Sequence, residues 1–407
     1  MVGDKALSLA IATVILLSVL PSAFALSEEW WVSYRVVEEV VLENAGALPY
    51  PLSESDKRIR IFPSGDRQRV VSYEAEVEVD GQEVAVSSFL KKDVDGNNFL
   101  EANLPPSLSS GSCLRIRLVQ VVEVYVGSLS SKLTPQLLVK NSGSFSDIPD
   151  QLRKEFCSSK GAWNLDSPKM KHISSIAKEL AGEDQNVLSV VLRFVEWIGE
   201  HVQYPSESSG PRYPYETYPI EAAEQQGYGV GDCDDQASLF IAMCRSVGIP
   251  AYLEVGCVYF PQAQPKVVSL LNEKVIFELR QIRWHGWAMA YVPPWGWLPI
   301  DLTMGFSKTG NPLDAVRKSA YLSPSTVVSE DIVASDYVAE WRSFEESVLE
   351  YGIKLSQVDK MEVVGYFTKQ VNWPVVYAAI ACLAAYVAAL AWLYAKVRKR
   401  SAMLSKG

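Results

Sequence analysis

The stretch that decides the fold is GDCDDQASLF, residues 231–240. It sets a cysteine, Cys233, directly after a glycine turn and at the start of a predicted helix that ends at Gly248. The partial positive charge at a helix N-terminus stabilises a thiolate and lowers the pKa of a cysteine from its free value of about 8.5. Asp234 and Asp235, in the same first turn, favour the helix but oppose the thiolate. A nucleophilic Cys233 therefore also needs a base.

The chain offers three histidines as that base: His172, His201 and His285. The first two fall within predicted helices, whereas His285 follows a predicted strand in the segment WHGWAMAY (284–291). Asp301 lies in a second segment, WLPIDLT (297–303), beyond an intervening turn. Two neighbouring antiparallel strands would bring its carboxylate to the imidazole and orient it. We expect the imidazole to take the thiol proton, giving a resting thiolate–imidazolium pair.

Four short motifs follow one another in a fixed order: GDC (231–233), RSVGIPA (245–251), His-x-Trp (285–287) and Asp-x-Thr (301–303). Together, over residues 165–305, they resemble the transglutaminase-like superfamily of cysteine-dependent acyl-transfer enzymes. One departure is Gly286, where the family more often has alanine, and we expect this glycine to loosen the strand mildly.

The resemblance implies an α+β fold, namely a papain-like core of N-terminal helices packed on an antiparallel sheet. It implies that Cys233 is the nucleophile, that His285 is the general base and acid, and that Asp301 orients the imidazole. The reaction would pass through a thioester. The backbone N–H of Cys233 is one expected oxyanion donor, but no sequence signal identifies a second.

The acidic residues give no reason to expect a bound metal. No ligand spacing of the CxxC or HExxH type surrounds Cys233. Residues 93–97 (DVDGN) resemble the start of a calcium loop, but Asn98 stands in place of the required glycine and Leu104 in place of the bidentate glutamate. We predict a hairpin turn at 93–97 and no cofactor.

The N-terminus has the pattern of an export signal. Lys5 precedes an apolar run over 6–20, and AFA at 23–25 supplies a cleavage site. Residues 1–25 are therefore predicted to be a signal peptide. The alternative is an uncleaved N-terminal anchor, and either one exports the rest of the chain.

The C-terminus has the pattern of a membrane anchor. Residues 374–395 contain no charged side chain and are long enough, as a helix, to cross a hydrocarbon core of about 30 Å. Four basic residues in 396–400 then place the tail in the cytoplasm. We predict a transmembrane helix over 373–395 and a cytoplasmic tail over 396–407, the alternative being a buried soluble helix.

Residues 26–140 are predicted to form an all-β sandwich that precedes the catalytic core. Apolar and polar residues alternate over 73–79 and again over 114–118, as in half-buried strands. The pair Asp80-Gly81 predicts a hairpin turn after the first of these strands. An exported sandwich followed by such a core also resembles microbial membrane-anchored surface members of the superfamily.

Residues 141–325 are predicted to form the catalytic domain with its linker. Ser167 and Pro168 predict the start of one helix and Gly182 its end, and a second helix with a wide apolar stripe follows. A further amphipathic helix is predicted between Ser329 and Tyr351, so residues 326–372 are interpreted as a helical stalk or cap.

The composition limits the classes of function. The 407 residues carry a net charge of -10, which argues against a nucleic-acid binder, and the length favours two ordered domains. We expect a membrane-anchored, extracytoplasmic cysteine hydrolase, a peptidase or amidase that acts on a protein or peptide. The alternatives are a transglutaminase that transfers the acyl group to an amine, and a non-catalytic surface scaffold or binding protein.

Overall fold

The computed structural model describes residues 29–127, 136–207, 209–225, 227–307, 309–369 and 386–387. Residues 31–367 form one unit, within which every contact reported below lies. The strands and α-helices in chain order are β1 (Glu29–Asn44), β2 (Tyr50–Pro51), β3 (Arg58–Ile61), β4 (Gln68–Val79), β5 (Gln82–Glu83), β6 (Lys91–Lys92), β7 (Asn98–Glu101), β8 (Ser107–Leu108), β9 (Cys113–Tyr125), α1 (Asp150–Phe156), α2 (Lys171–Ala181), α3 (Val187–His201), β10 (Val202–Gln203), α4 (Pro214–Thr217), α5 (Ile220–Glu224), β11 (Gly229–Val230), α6 (Cys233–Ser246), β12 (Ala251–Tyr259), β13 (Lys266–Leu270), β14 (Val275–Arg280), β15 (Ile282–Val292), β16 (Gly296–Ile300), α7 (Asp314–Arg317), β17 (Thr326–Ile332), α8 (Tyr337–Tyr351) and β18 (Ile353–Lys369).

Helix α6 packs on an antiparallel four-stranded sheet with the order β16-β15-β12-β17, and the helices α2 and α3 pack against α6. The sheet and the helices share one apolar core, whose larger buried members include Phe194, Ile198, Phe240, Ile241 and Leu253. Strand β15 pairs with β12 on one side and with β16 on the other. This arrangement is the α+β core that the motifs predict.

The two scaffold helices begin and end where the sequence predicts. Ser167 caps a short 3-10 turn that leads into α2, and Gly182, at a φ of +54°, ends it. Asn186 caps α3 by accepting a hydrogen bond from the backbone N–H of Ser189. The apolar stripe of α3 is fully buried, so its side chains serve packing rather than chemistry.

A second, seven-stranded sheet has the order β13-β14-β18-β1-β9-β4-β5. Four of its strands come from the region 26–140, two from a hairpin inserted between β12 and β15, and one from the C-terminal part of the chain. Small sheets formed by β2 with β8 and by β3, β6 and β7 share a core with it. Hydrogen bonding therefore joins strands from both sides of the predicted boundary at 140 in one sheet, and the division into domains stays a prediction.

Both predicted turns in the N-terminal region are confirmed. Asp80 and Gly81 have φ values of +52° and +76°, and they connect β4 to β5 in the manner of a two-residue hairpin. Residues 93–97 connect β6 to β7, and Asp93 accepts hydrogen bonds from the backbone N–H groups of Asp95 and Asn97. The Asp93 carboxylate thus stabilises a turn.

The interpretation of 326–372 as a helical stalk or cap is wrong. Strand β17 pairs with β12 and completes the four-stranded sheet, and α8 is the one α-helix in the described residues 326–369. Strand β18 then pairs in parallel with β14. The alternation of apolar and polar residues along β18 is interrupted at Asp359, a buried carboxylate in an inward position where an apolar residue would be expected.

No helix within the described residues combines the length and the apolar character needed to span a membrane. The predicted signal peptide (1–25) and cytoplasmic tail (396–407) lie outside the described residues, as does the predicted transmembrane helix (373–395) apart from residues 386 and 387.

Candidate active site

Cys233 is the first residue of α6. Asp232 caps this helix, and the carboxylate of Asp235 accepts a hydrogen bond from the backbone N–H of Asp232 at 3.3 Å. Asp235 also accepts a bond from the backbone N–H of Arg212 at 2.7 Å, which ties the preceding loop to the helix start. The short polar residues of the GDCDD motif thus fix the backbone that carries the sulfur.

The surroundings of Cys233 favour the neutral thiol. Burial and the charges of Asp234 and Asp232 raise the pKa of the thiol well above its ordinary value, although backbone hydrogen bonds from Gly286 and Asp234 oppose the rise. The sulfur lies 3.8 Å from Oδ1 of Asp234. Burial and the nearby carboxylates thus oppose the thiolate that the helix N-terminus favours, and the resting thiolate–imidazolium pair stays a prediction.

His285 lies on β15 and Asp301 directly follows β16, so the antiparallel pairing of these strands brings the two side chains together. Nε2 of His285 lies 3.0 Å from Oδ2 of Asp301, and both residues are buried. A carboxylate can only accept here, which assigns the proton to Nε2 and leaves the Nδ1 lone pair available as a base.

The Asp301 carboxylate accepts four hydrogen bonds. Oδ1 accepts from the backbone N–H groups of Thr303 at 3.2 Å and Met304 at 2.8 Å, while Oδ2 accepts from His285 and from the backbone N–H of Ala320 at 2.9 Å. Burial alone would raise the pKa of Asp301, but the hydrogen bond and charge of His285, with the N–H groups of Ala320 and Met304, lower it. Asp301 is therefore held as an anion.

Cys233 and His285 line the same cavity, which has a volume of about 750 Å³. The N-terminus of α6 packs closely against β15, since a Cβ at Gly286 would lie 3.1 Å from the Cβ of Asp234. The glycine therefore permits a close approach between helix and strand, instead of merely loosening the strand as expected. Sulfur and imidazole thus share one cavity, on elements in direct contact.

Tyr204 is a cavity residue that the sequence did not identify. It follows β10 and lines the cavity with Cys233. Partial burial of its hydroxyl, with the charges of Cys233 and Asp232, raises the pKa of Tyr204, so the hydroxyl keeps its proton at neutral pH. No sequence pattern marks this residue, because only the folded loop brings it to the cysteine.

Trp284, directly before His285, also lines the cavity. Its Nε1–H donates to Oδ2 of the buried Asp359 at 2.7 Å, so β18 fixes the indole. Trp287, the tryptophan of the His-x-Trp motif, is fully buried and donates to Glu254 at 2.7 Å, which makes it a core residue. The tryptophans before and after His285 therefore lie in different environments.

Arg67, in the N-terminal region, supports the loop that reaches Asp301. Its buried guanidinium donates to the backbone carbonyls of Tyr321, Ser323 at 2.8 Å and Thr326 at 2.6 Å, and it lies over the Tyr321 ring at 4.4 Å from the centroid. This loop begins with Ala320, whose N–H binds Asp301. The N-terminal strands are thereby connected to the His285–Asp301 pair.

Ligand atoms of Asp232, Cys233 and Asp234 lie within 4.8 Å of one another, and this is the one such cluster among the residues that the structure describes. The helix backbone accounts for their proximity, since the three are consecutive. The absence of a cofactor stays a prediction.

Cys233, at a helix N-terminus, thus shares a cavity with a histidine that is hydrogen-bonded to an aspartate. The sequence model of the Transglutaminase-like superfamily matches residues 174–302, so the chain contains a transglutaminase-like domain. No curated protein matches the sequence.

Solved structures similar to this chain include a candidate cysteine protease from Cytophaga hutchinsonii, at 15% identity and a TM-score of 0.45, covering 84% of this chain and 92% of that one. The periplasmic domain of TgpA from Pseudomonas aeruginosa is similar at 13% identity and a TM-score of 0.30, with 71% and 92% covered. Red sea bream transglutaminase is similar at 11% identity and a TM-score of 0.26, with 66% and 46% covered.

Proposed function

We propose that this protein is a membrane-anchored, extracytoplasmic cysteine hydrolase, a peptidase or amidase that uses Cys233, His285 and Asp301. The observation that carries the proposal is the buried His285–Asp301 pair, because His285 lines the same cavity as Cys233. A histidine that served only packing would not require a buried carboxylate, held by four hydrogen bonds, at the edge of a cavity.

In the proposed reaction the sulfur of Cys233 attacks an amide carbonyl while Nδ1 of His285 takes the thiol proton. The negative charge on the carbonyl oxygen is stabilised by the backbone N–H of Cys233 and by the hydroxyl of Tyr204. The imidazolium then protonates the leaving amine as the C–N bond breaks, which leaves a thioester. Water, deprotonated by His285, attacks the thioester and releases the acid and the thiol.

The raised pKa of Cys233 favours a thiol in the resting enzyme. In the proposed reaction, proton transfer to His285 therefore accompanies the attack on the carbonyl carbon. Asp301 keeps the proton on Nε2 and stabilises the imidazolium as it forms. The base thus contributes to the rate of acylation itself, rather than to a preformed ion pair.

Hydrolysis is proposed over amine transfer because water has access to the cavity. Tyr204, on its wall, is 61% exposed. A thioester formed at Cys233 would therefore meet water unless a large acceptor covered that wall. The extracytoplasmic location rests on the sequence patterns of residues 1–25 and 373–400, and protease treatment of intact cells tests it by removing the catalytic domain from the outside.

The test of the function is incubation of the purified protein with a peptide mixture and a labelled primary amine, analysed by mass spectrometry. The expected result is hydrolysis that is lost in Cys233→Ala. Amine incorporation without hydrolysis would establish a transglutaminase instead. Absence of both hydrolysis and amine incorporation in the folded protein would favour the non-catalytic scaffold.

A further inference from the structure

The cavity that holds Cys233 and His285 has an unusual distribution of charge. Among the described residues that line it, the side chains with a permanent charge are Lys266 and Arg283, and no aspartate or glutamate joins them. The chain as a whole carries a net charge of -10. A cationic wall is therefore not a consequence of the overall composition.

Neither cation is neutralised by the protein. Within the described part of the chain, no carboxylate lies within 4.0 Å of Lys266 or Arg283, although other arginines and lysines are paired in this way. Lys266 is exposed at the start of β13, and Arg283 is half-buried on β15. Two cations on the wall of one cavity, neither paired with a carboxylate, favour the binding of an anion.

Arg283 is held in a fixed orientation with donors to spare. Its Nη1 donates to the carbonyls of Leu279 at 3.3 Å and Ile282 at 2.6 Å, and its Nη2 donates to the carbonyl of Gln264 at 2.9 Å. A guanidinium has five N–H donors, so these three bonds leave two of them for a ligand. The carbonyls order the side chain before any ligand binds, which lowers the entropic cost of binding.

The position of Arg283 relates this site to the reacting atoms. Arg283 and His285 are two residues apart on one strand and line the same cavity, so their Cα atoms are about 7 Å apart at roughly 3.3 Å per residue. An extended peptide with its scissile carbonyl at Cys233 covers this distance in about two residues. The ligand anion thus belongs to the substrate, close to the bond that is broken.

We infer that the substrates are peptides with a carboxylate within about two residues of the scissile amide, bound by Arg283 and Lys266. This inference rests on the proposed hydrolase function and deepens it. The carboxylate can come from an aspartate or glutamate side chain or from a free peptide C-terminus, and the experiment distinguishes these two sources.

The test starts with a peptide library digested by the wild-type protein and by Cys233→Ala, with cleaved bonds mapped by mass spectrometry. Cleavage that depends on Cys233 should be enriched in acidic residues or free C-termini within two residues of the bond. A cleaved sequence is then resynthesised with glutamate, glutamine or lysine at that position, and with a C-terminal acid or amide. The preferred carboxylate should raise kcat/KM by about 10- to 100-fold over its neutral counterpart, as a charge-assisted hydrogen bond would.

Variants assign the preference to the two cations. The preference for a carboxylate, as the ratio of kcat/KM values, should fall to less than about threefold in the double variant Arg283→Gln/Lys266→Gln. It should be partly kept in Arg283→Lys, which retains the charge. Lys266→Gln alone changes an exposed side chain and provides a variant whose folding is not at risk. Arg280→Gln is the matched control, because Arg280 is paired with Glu278 and does not line the cavity.

Cleavage of neutral peptides as fast as acidic ones, or a preference that survives the double variant, would overturn the inference and leave the hydrolase function standing. If no cleavage in the library depended on Cys233, both proposals would fall.

Discussion

The replacement Asp301→Asn tests the proposed triad with a change of one atom. The amide oxygen can accept from the N–H groups of Thr303 and Met304, as Oδ1 does now. The amide nitrogen then faces His285 and the N–H of Ala320, both of which donate to Asp301 in the native protein. Two donors cannot bond to each other, so the imidazole must move its proton to Nδ1 and lose the lone pair that serves Cys233.

The magnitude follows from these contacts. A base in the wrong tautomer should lower the acylation rate by about 10³- to 10⁴-fold. The unpaired N–H of Ala320 should lower the free energy of unfolding by roughly 1–3 kcal/mol, because it stays buried without an acceptor. Loss of activity should therefore far exceed loss of stability.

The assay is the burst of p-nitrophenolate released when p-nitrophenyl acetate acylates Cys233, measured beside urea unfolding of the same samples. Asp314→Asn is the matched control, since Asp314 pairs with Lys318 and makes no hydrogen bond to the triad. Acylation by Asp301→Asn within tenfold of the wild-type rate, with the fold intact, would refute a role for Asp301 in orienting the base.

Three further outcomes are expected. Tyr204→Phe should lower the acylation rate by about 10²-fold at unchanged stability, because it removes one oxyanion donor, and a rate within threefold of wild type would exclude that role. Asp234→Asn should lower the pKa of Cys233 and shift its alkylation by iodoacetamide to lower pH, followed on the Cys233 peptide by mass spectrometry; an unchanged profile would contradict the electrostatic argument. Arg67→Gln should lower the free energy of unfolding by about 3 kcal/mol and reduce acylation through the Ala320 loop. The control is Arg69→Gln on β4, which removes a half-exposed guanidinium paired with Glu123 and should leave acylation unchanged; equal effects of the two variants on acylation would count against the connection.

The sequence predicts well those features that local chemistry fixes. The helix ends at Ser167 and Gly182 and the Asp80-Gly81 turn depend on conformations that few residues adopt, so single positions reveal them. The proximity of His285 and Asp301 follows from two strands joined by a short turn. Each of these features depends either on residues that are near one another in sequence or on a backbone conformation that one residue type favours.

Features that depend on distant contacts could not be predicted in this way. The pKa of Cys233 rises because the site is buried, and the same helix N-terminus would have lowered it in water. Tyr204 and Arg67 act through neighbours that only the fold supplies. The sequence did not identify β18 as a strand, because its inward-facing Asp359 interrupts the apolar pattern. The buried carboxylate is stabilised by a hydrogen bond from Trp284 on another strand.

The seven-stranded sheet combines strands from three parts of the chain, so it can be completed only after β18 has been synthesised. Strand β1 lies between β9, which is synthesised soon after it, and β18, which is the last described strand of the chain. Until β18 has been made, one edge of β1 stays unpaired and can associate with other chains. Such non-local pairing also slows folding. If the chain is exported N-terminus first, as proposed, it needs protection from aggregation during translocation. A mutation that stops synthesis before β18 would leave an open sheet rather than a smaller folded protein.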